Sequence, residues 1–200
     1  ENILLAAPKA SGMTCIYGAA KEPEIIELCN FLIAMGVRIS GIGTDKLCIM
    51  GGPLKKYMEY RICTDRIVAG TYLLAVVMAG GEVILRNLPL DHMKSTIQTI
   101  GKLGAEVYRD NYDVRIKMKR FPQAISYLCT APYPGFPTDL QSPLLSVLCS
   151  AKEPSCIEER VFENRFLTVE ELRKMGANIC VIGQTAHITP IEGMQGSAVT

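Results

Sequence analysis

One short pattern occurs three times in this chain and constrains its fold more than any other feature. Ala34-Met35-Gly36-Val37-Arg38-Ile39, Lys102-Leu103-Gly104-Ala105-Glu106-Val107 and Lys174-Met175-Gly176-Ala177-Asn178-Ile179 each end an apolar-periodic segment, reach a glycine and open a strand-like run. A glycine there closes a helix, because it enters the left-handed region without a Cβ penalty. The three glycines lie about 70 residues apart, within the range of a repeat architecture.

The surroundings of each glycine recur too. Before Gly36, Pro23 starts a helix and Ile25, Ile26, Cys29, Leu32 and Ile33 share a face. Before Gly104 the face is Met93, Ile97, Ile100 and Leu103. Before Gly176, Thr168-Val169-Glu170-Glu171 reads as a capping box. Earlier apolar helices are expected over 2–11, 67–80 and 140–150, leading to strands at 14–17, 82–85 and 155–157. After each glycine come two strands joined by a tight turn, at Gly43-Thr44-Asp45, Asp110-Asn111-Tyr112 and Gly183-Gln184-Thr185. Leading strands are expected at 58–63 and 124–130. The unit therefore reads βαβαββ, and the first copy lacks its leading strand. Helices that are apolar on most faces need enclosure, so the expected fold is α/β (α+β) with helices inside and sheets outside. No G-x-G-x-x-G and no P-loop occurs, which argues against a doubly wound nucleotide-binding sheet.

Composition narrows the class. With 48% hydrophobic and 20% charged residues the chain is core-forming, and a net charge of +1 gives no nucleic-acid footprint. The longest apolar stretch, around 71–79, is far short of the ~18 residues a membrane span needs. The chain starts at Glu1, which is read as a processed or excised piece. Eight cysteines occur without a C-x-x-C pair, and His92 and His187 are remote from any cluster. No metal site or cofactor is expected, and the cysteines read as buried, reduced thiols of a cytoplasmic protein.

The segment Ala131-Pro132-Tyr133-Pro134-Gly135-Phe136-Pro137-Thr138-Asp139-Leu140-Gln141 stands apart. Three prolines and a glycine stiffen a loop that delivers a lone carboxylate to the start of an apolar helix. Such loops often carry function. An alternative reading has Thr138 or Asp139 capping that helix.

Together with Val161-Phe162-Glu163-Asn164-Arg165-Phe166, Asp65-Arg66-Ile67-Val68-Ala69-Gly70-Thr71 and Ala20-Lys21-Glu22-Pro23-Glu24-Ile25, this loop closely resembles the UDP-N-acetylglucosamine enolpyruvyl transferases over essentially the whole chain. The resemblance implies two lobes, each of three βαβαββ units in a pseudo-symmetric, inside-out α/β barrel. Residues 1–63 then match the last unit of one lobe, and 64–200 match two units of the other (about 64–122 and 123–197). The implied reaction moves the enolpyruvyl group of phosphoenolpyruvate to the 3-hydroxyl of UDP-N-acetylglucosamine, at the start of cytoplasmic peptidoglycan synthesis.

By the same resemblance Asp139 is the candidate base at the sugar hydroxyl. Thr138, Val161, Phe162 and Arg165 are candidate substrate contacts, and Asp65 and Arg66 an interlobe pair. The bland alternatives are a surface ion pair for Arg165 and Arg66 and core packing for Phe162. Lys21, Thr168 and Cys129 stand where many members carry Arg, His and Arg. The family's Lys-Asn pair and its mobile-loop cysteine acid have no counterpart here. The 200 residues alone are therefore expected to be inactive, with homodimerisation or unit exchange covering exposed helix faces. The competing readings are a non-catalytic repeat-built binding module and the related 3-phosphoshikimate 1-carboxyvinyltransferase.

Overall fold

A computed structural model describes residues 1–199. The chain separates into two compact units, Glu1–Cys63 and Thr64–Thr200.

In the first unit, α1 (Asn2–Ala6) and a 3-10 turn (Ala7–Lys9) precede β1 (Met13–Tyr17), α2 (Pro23–Ala34), β2 (Arg38–Ser40) and β3 (Lys46–Met50). The single helix expected over 2–11 is thus divided. Pro8 has no N–H to continue an α-helical ladder, and the chain tightens to 3-10 around it. The sheet order is β1-β3-β2, all antiparallel. Ile25, Cys29 and Leu32 of α2, one face at helical spacing, meet Leu47 and Ile49 of β3 and Leu4 in one core. Ile33, expected on that face, is 40% exposed.

The second unit contains α3 (Arg66–Ala79), β4 (Gly81–Leu85), α4 (Lys94–Lys102), β5 (Glu106–Asp110), β6 (Asp113–Met118), β7 (Leu128–Cys129), α5 (Gln141–Leu148), β8 (Ser155–Glu158), α6 (Thr168–Lys174), β9 (Asn178–Ile182) and β10 (Thr185–Thr189). Its two sheets run β4-β6-β5 and β7-β8-β10-β9. All pairings are antiparallel except β7 with β8. One core joins them: Leu73, Leu74 and Val77 of α3 pack with Leu144, Leu145 and Leu148 of α5, between Ile116 of β6 and Ile157 of β8. Gly70 permits the closest approach. A Cβ there would lie 2.4 Å from Leu140 Cδ1.

The three capping glycines have φ of 104°, 91° and 93°, in the left-handed region the sequence required. The leading strands differ from expectation. Residues 58–63 form no strand, and 124–130 contributes only the two residues of β7. Pro122 cannot donate to a ladder, and Ile125 N instead donates to the Ser155 hydroxyl. The capping box is not made either. Helix α6 begins at Thr168 with no side-chain cap, because the Thr168 hydroxyl is drawn 3.1 Å from that of Ser142.

Candidate functional site

The loop 130–137 is shaped by its own sequence. Thr130 bridges to Phe136, and Ala131 N donates to Phe136 O at 3.0 Å. The turn between them holds a cis Tyr133–Pro134 peptide. Only glycine fits at 135, where a Cβ would sit 2.5 Å from that of Ala131. From α4, Ser95 Oγ donates to Gly135 O at 2.9 Å, and Phe136 is buried in the core. This frame hands the chain to a 3-10 turn, Thr138–Leu140, which opens α5.

Neither Thr138 nor Asp139 caps α5: its N-cap is Leu140, with no side-chain bond. Both side chains reach across to the segment after β8. Arg165 Nη2 donates to Asp139 Oδ1 at 2.6 Å, with the arginine 34% and the aspartate 53% exposed. The Arg165 guanidinium also lies 5.2 Å from the Phe162 ring centroid. Phe162 is 52% exposed, which removes the core-packing reading. Asn164, at φ 55°, turns the chain so that Arg165 folds back over Phe162.

The residue that organises this corner is one the sequence reading passed over. Glu159 is 1% exposed. Its Oε2 accepts from Thr138 Oγ1 at 2.8 Å. Its Oε1 accepts from the backbone N–H of Val161 at 2.8 Å and of Phe162 at 3.1 Å. The Thr130 hydroxyl is a further donor. Burial pushes the carboxyl up, but these four hydrogen bonds outweigh it and hold Glu159 below the usual carboxylate range. A signal existed in the sequence. Ser155 and Ile157 face the core, and period-2 alternation carries the next inward position to Glu159.

Asp65 and Arg66 each have partners within their own unit. Asp65 Oδ1 caps α3, accepting from Ile67 N at 2.7 Å and Val68 N at 3.0 Å. Arg66 is buried, its guanidinium 5.8 Å from the Tyr133 ring centroid, so it backs the same loop. The corner thus brings together Thr138, Asp139, Val161, Phe162 and Arg165, with Arg66 behind. A separate polar cavity of about 340 Å³, lined among others by Glu106, Lys117, Lys119 and Arg120, contains none of them. Among the described residues no cluster of His, Cys, Asp and Glu could hold a metal, and no helix is long and apolar enough to cross a membrane.

A half-exposed carboxylate beside a guanidinium and an open aromatic face, all set on hydrogen-bonded turns, can orient a hydroxyl and hold an anionic oxygen. The chain belongs to the EPSP synthase (3-phosphoshikimate 1-carboxyvinyltransferase) family, whose model matches residues 1–200. Within it, the similar curated proteins carry a more particular name. UDP-N-acetylglucosamine 1-carboxyvinyltransferase 1 of Caldanaerobacter subterraneus subsp. tengcongensis is 43% identical over 199 residues, covering 100% of this chain and 48% of that protein. The Sorangium cellulosum UDP-N-acetylglucosamine 1-carboxyvinyltransferase is 41% identical over 199 residues, with 47% of it covered. The chain spans about half the length of the curated relatives it matches. Among solved structures, the enolpyruvyl transferase NikO from Streptomyces tendae superposes with a TM-score of 0.80 at 20% identity, covering 94% of this chain and 45% of that one. EPSP synthase from Acinetobacter baumannii gives 0.50 at 15% identity. These two likenesses show the fold.

Proposed function

We propose that these 200 residues are part of a transferase that moves the enolpyruvyl group of phosphoenolpyruvate to the 3-hydroxyl of UDP-N-acetylglucosamine, in cytoplasmic peptidoglycan synthesis. The carrying observation is the Asp139–Arg165 pair, fixed between two turns that Glu159 braces against each other. Asp139 orients the sugar hydroxyl and accepts its proton as the oxygen attacks the enolpyruvyl carbon. Arg165 stabilises negative charge next to that step, held by Asp139 on one side and the Phe162 ring on the other. The Val161 and Phe162 segment contributes backbone and ring to the sugar-nucleotide wall, and Thr138 holds its shape through Glu159. The chemistry uses no metal or cofactor.

On this reading residues 1–63 are the last unit of one lobe, and 64–200 are two units of the other. The shared strand order of β1-β3-β2, β4-β6-β5 and β8-β10-β9 supports a pseudo-symmetric repeat of the inside-out barrel type. The names of the relatives favour UDP-N-acetylglucosamine over shikimate 3-phosphate as acceptor.

The 200 residues alone do not turn over, since the family's acid cysteine and Lys-Asn pair have no counterpart among them. Phosphate release, measured with both substrates, tests the assignment. A protein of the relatives' full length bearing this sequence releases phosphate with UDP-N-acetylglucosamine and not with shikimate 3-phosphate, while the 200-residue chain releases none. The reverse acceptor preference overturns the substrate, and full-rate turnover by the short chain overturns the division of the site.

A further inference from the structure

The first unit carries a pair of thiols that the proposed transferase chemistry does not use. In the β1–β3 ladder Cys15 stands directly opposite Cys48. The type of pairing follows from the backbone. Gly51 N donates to Gly12 O at 3.2 Å, one step before Met13 and Met50 pair. Opposite residues alternate between hydrogen-bonded and non-hydrogen-bonded, so Gly12/Gly51 being bonded makes Met13/Met50, Cys15/Cys48 and Tyr17/Lys46 the non-bonded kind. That kind is the closer one, with Cα atoms about 4.5 Å apart and side chains facing each other on one side of the sheet. Disulfides span Cα separations of about 4.4–6.8 Å, so the pair lies inside the window.

The face is also the accessible one. Leu47 and Ile49, at alternate positions of β3, are buried in the core, whereas Cys15 and Cys48 are both partly exposed. The neighbouring Cys48 thiol first, as a hydrogen-bond partner, and then burial push the Cys15 thiol above its ordinary value. No other facing pair of cysteines occurs in the described ladders. Cys156 and Cys180 share a row, but His187 of β10 lies between them.

We propose that Cys15 and Cys48 form a reactive dithiol site that takes small-molecule disulfides and closes to an internal cross-strand disulfide. The thiolate of one cysteine attacks a sulphur of the reagent, whose S–S bond breaks and releases one reduced thiol. The second cysteine loses its proton and attacks the protein-bound sulphur. The Cys15–Cys48 bond forms and a second reduced thiol leaves. Two electrons pass from the protein thiols to the reagent, and two protons leave with its halves. The closed form ties β1 to β3 without moving either strand.

Oxidised glutathione serves as the probe on the native chain, followed by acid quenching, alkylation and peptide mapping. The expected product is a Cys15–Cys48 cross-linked peptide, lighter by two hydrogens, appearing before any other protein disulfide. It forms faster than in urea-unfolded protein by on the order of tenfold or more, because the fold supplies the effective concentration. Cys48→Ser leaves a stable glutathione adduct on Cys15 and no bridge. Buried Cys149, which its surroundings push up to about 11, stays unmodified. The proposal is overturned if native and unfolded chains bridge at the same rate. It is equally overturned if both cysteines keep separate adducts, or if exposed Cys63 and Cys180 react while Cys15 and Cys48 do not.

Discussion

Removing the Glu159 side chain is the sharpest perturbation available, because one buried carboxylate terminates four hydrogen bonds from three segments. In Glu159→Ala the Thr130 and Thr138 hydroxyls can rotate toward other acceptors, but the Val161 and Phe162 N–H groups cannot. Leaving a buried donor unsatisfied costs about 1–3 kcal/mol, and these two are partly buried, so the low end applies to each. Two such donors predict a loss of about 2 kcal/mol, and a fall in Tm of roughly 6 °C at the ~2–4 °C per kcal/mol of a chain this size. Glu159→Gln keeps one acceptor oxygen for the two N–H groups and offers its NH2 to the hydroxyls, so about 1–2 kcal/mol is expected. The pH dependence follows from the same bonds. The folded-state pKa of Glu159 lies below its unfolded value of about 4.3. Its contribution is therefore complete above that value and is lost as pH falls through the lower folded one. Urea titrations between neutral pH and about pH 3 measure both effects. Glu159→Gln should flatten the acid limb while leaving the neutral plateau nearly parallel. A Glu159→Ala variant within about 1 kcal/mol of the parent, with an unchanged acid limb, would refute the claim that this carboxylate holds the corner together.

Three further outcomes are expected. Asp139→Asn in a full-length relative bearing this sequence should lower kcat about 10²- to 10⁴-fold. It should shift stability by no more than about 1 kcal/mol, since its ion pair is half-exposed; denaturation and phosphate-release assays on one preparation separate the two. Gly70→Ala should cost about 1–3 kcal/mol by driving a methyl into Leu140, and should also perturb the neighbouring Asp139, visible as a lower kcat. Tyr127, whose hydroxyl is held by Glu158, is pushed up to about 12; ultraviolet titration should show its midpoint moving back toward about 10 in Glu158→Gln.

The fold was legible where a residue type admits a single backbone solution. Gly36, Gly104 and Gly176 announced left-handed helix ends, and Ile97, Ile100 and Leu103 announced a buried face. It was less legible where a side chain had two partners to choose from. Thr138, Asp139 and Thr168 all sit at helix starts and all have capping chemistry, yet each is recruited by a distant group: Glu159, Arg165 and Ser142. Local preference could not anticipate partners 21 to 26 residues away. The cysteines depart from the expected burial for a related reason. Only Cys29 and Cys149 are buried, while the rest lie partly or fully exposed. Cys15, Cys48, Cys156 and Cys180 alternate onto the outer side of their sheets, which hydrophobic runs alone conceal.

The bracing of the 130–137 loop has a thermodynamic consequence for any ligand that docks beside it. A free loop loses about 1–2 kcal/mol per residue when it is ordered on binding. Here the bridge from Thr130 to Phe136, the anchor from Ser95 and the burial of Phe136 have already met that loss during folding. Association with this corner should therefore carry little conformational entropy penalty from the protein, and its temperature dependence should be set by the solvent and the ligand.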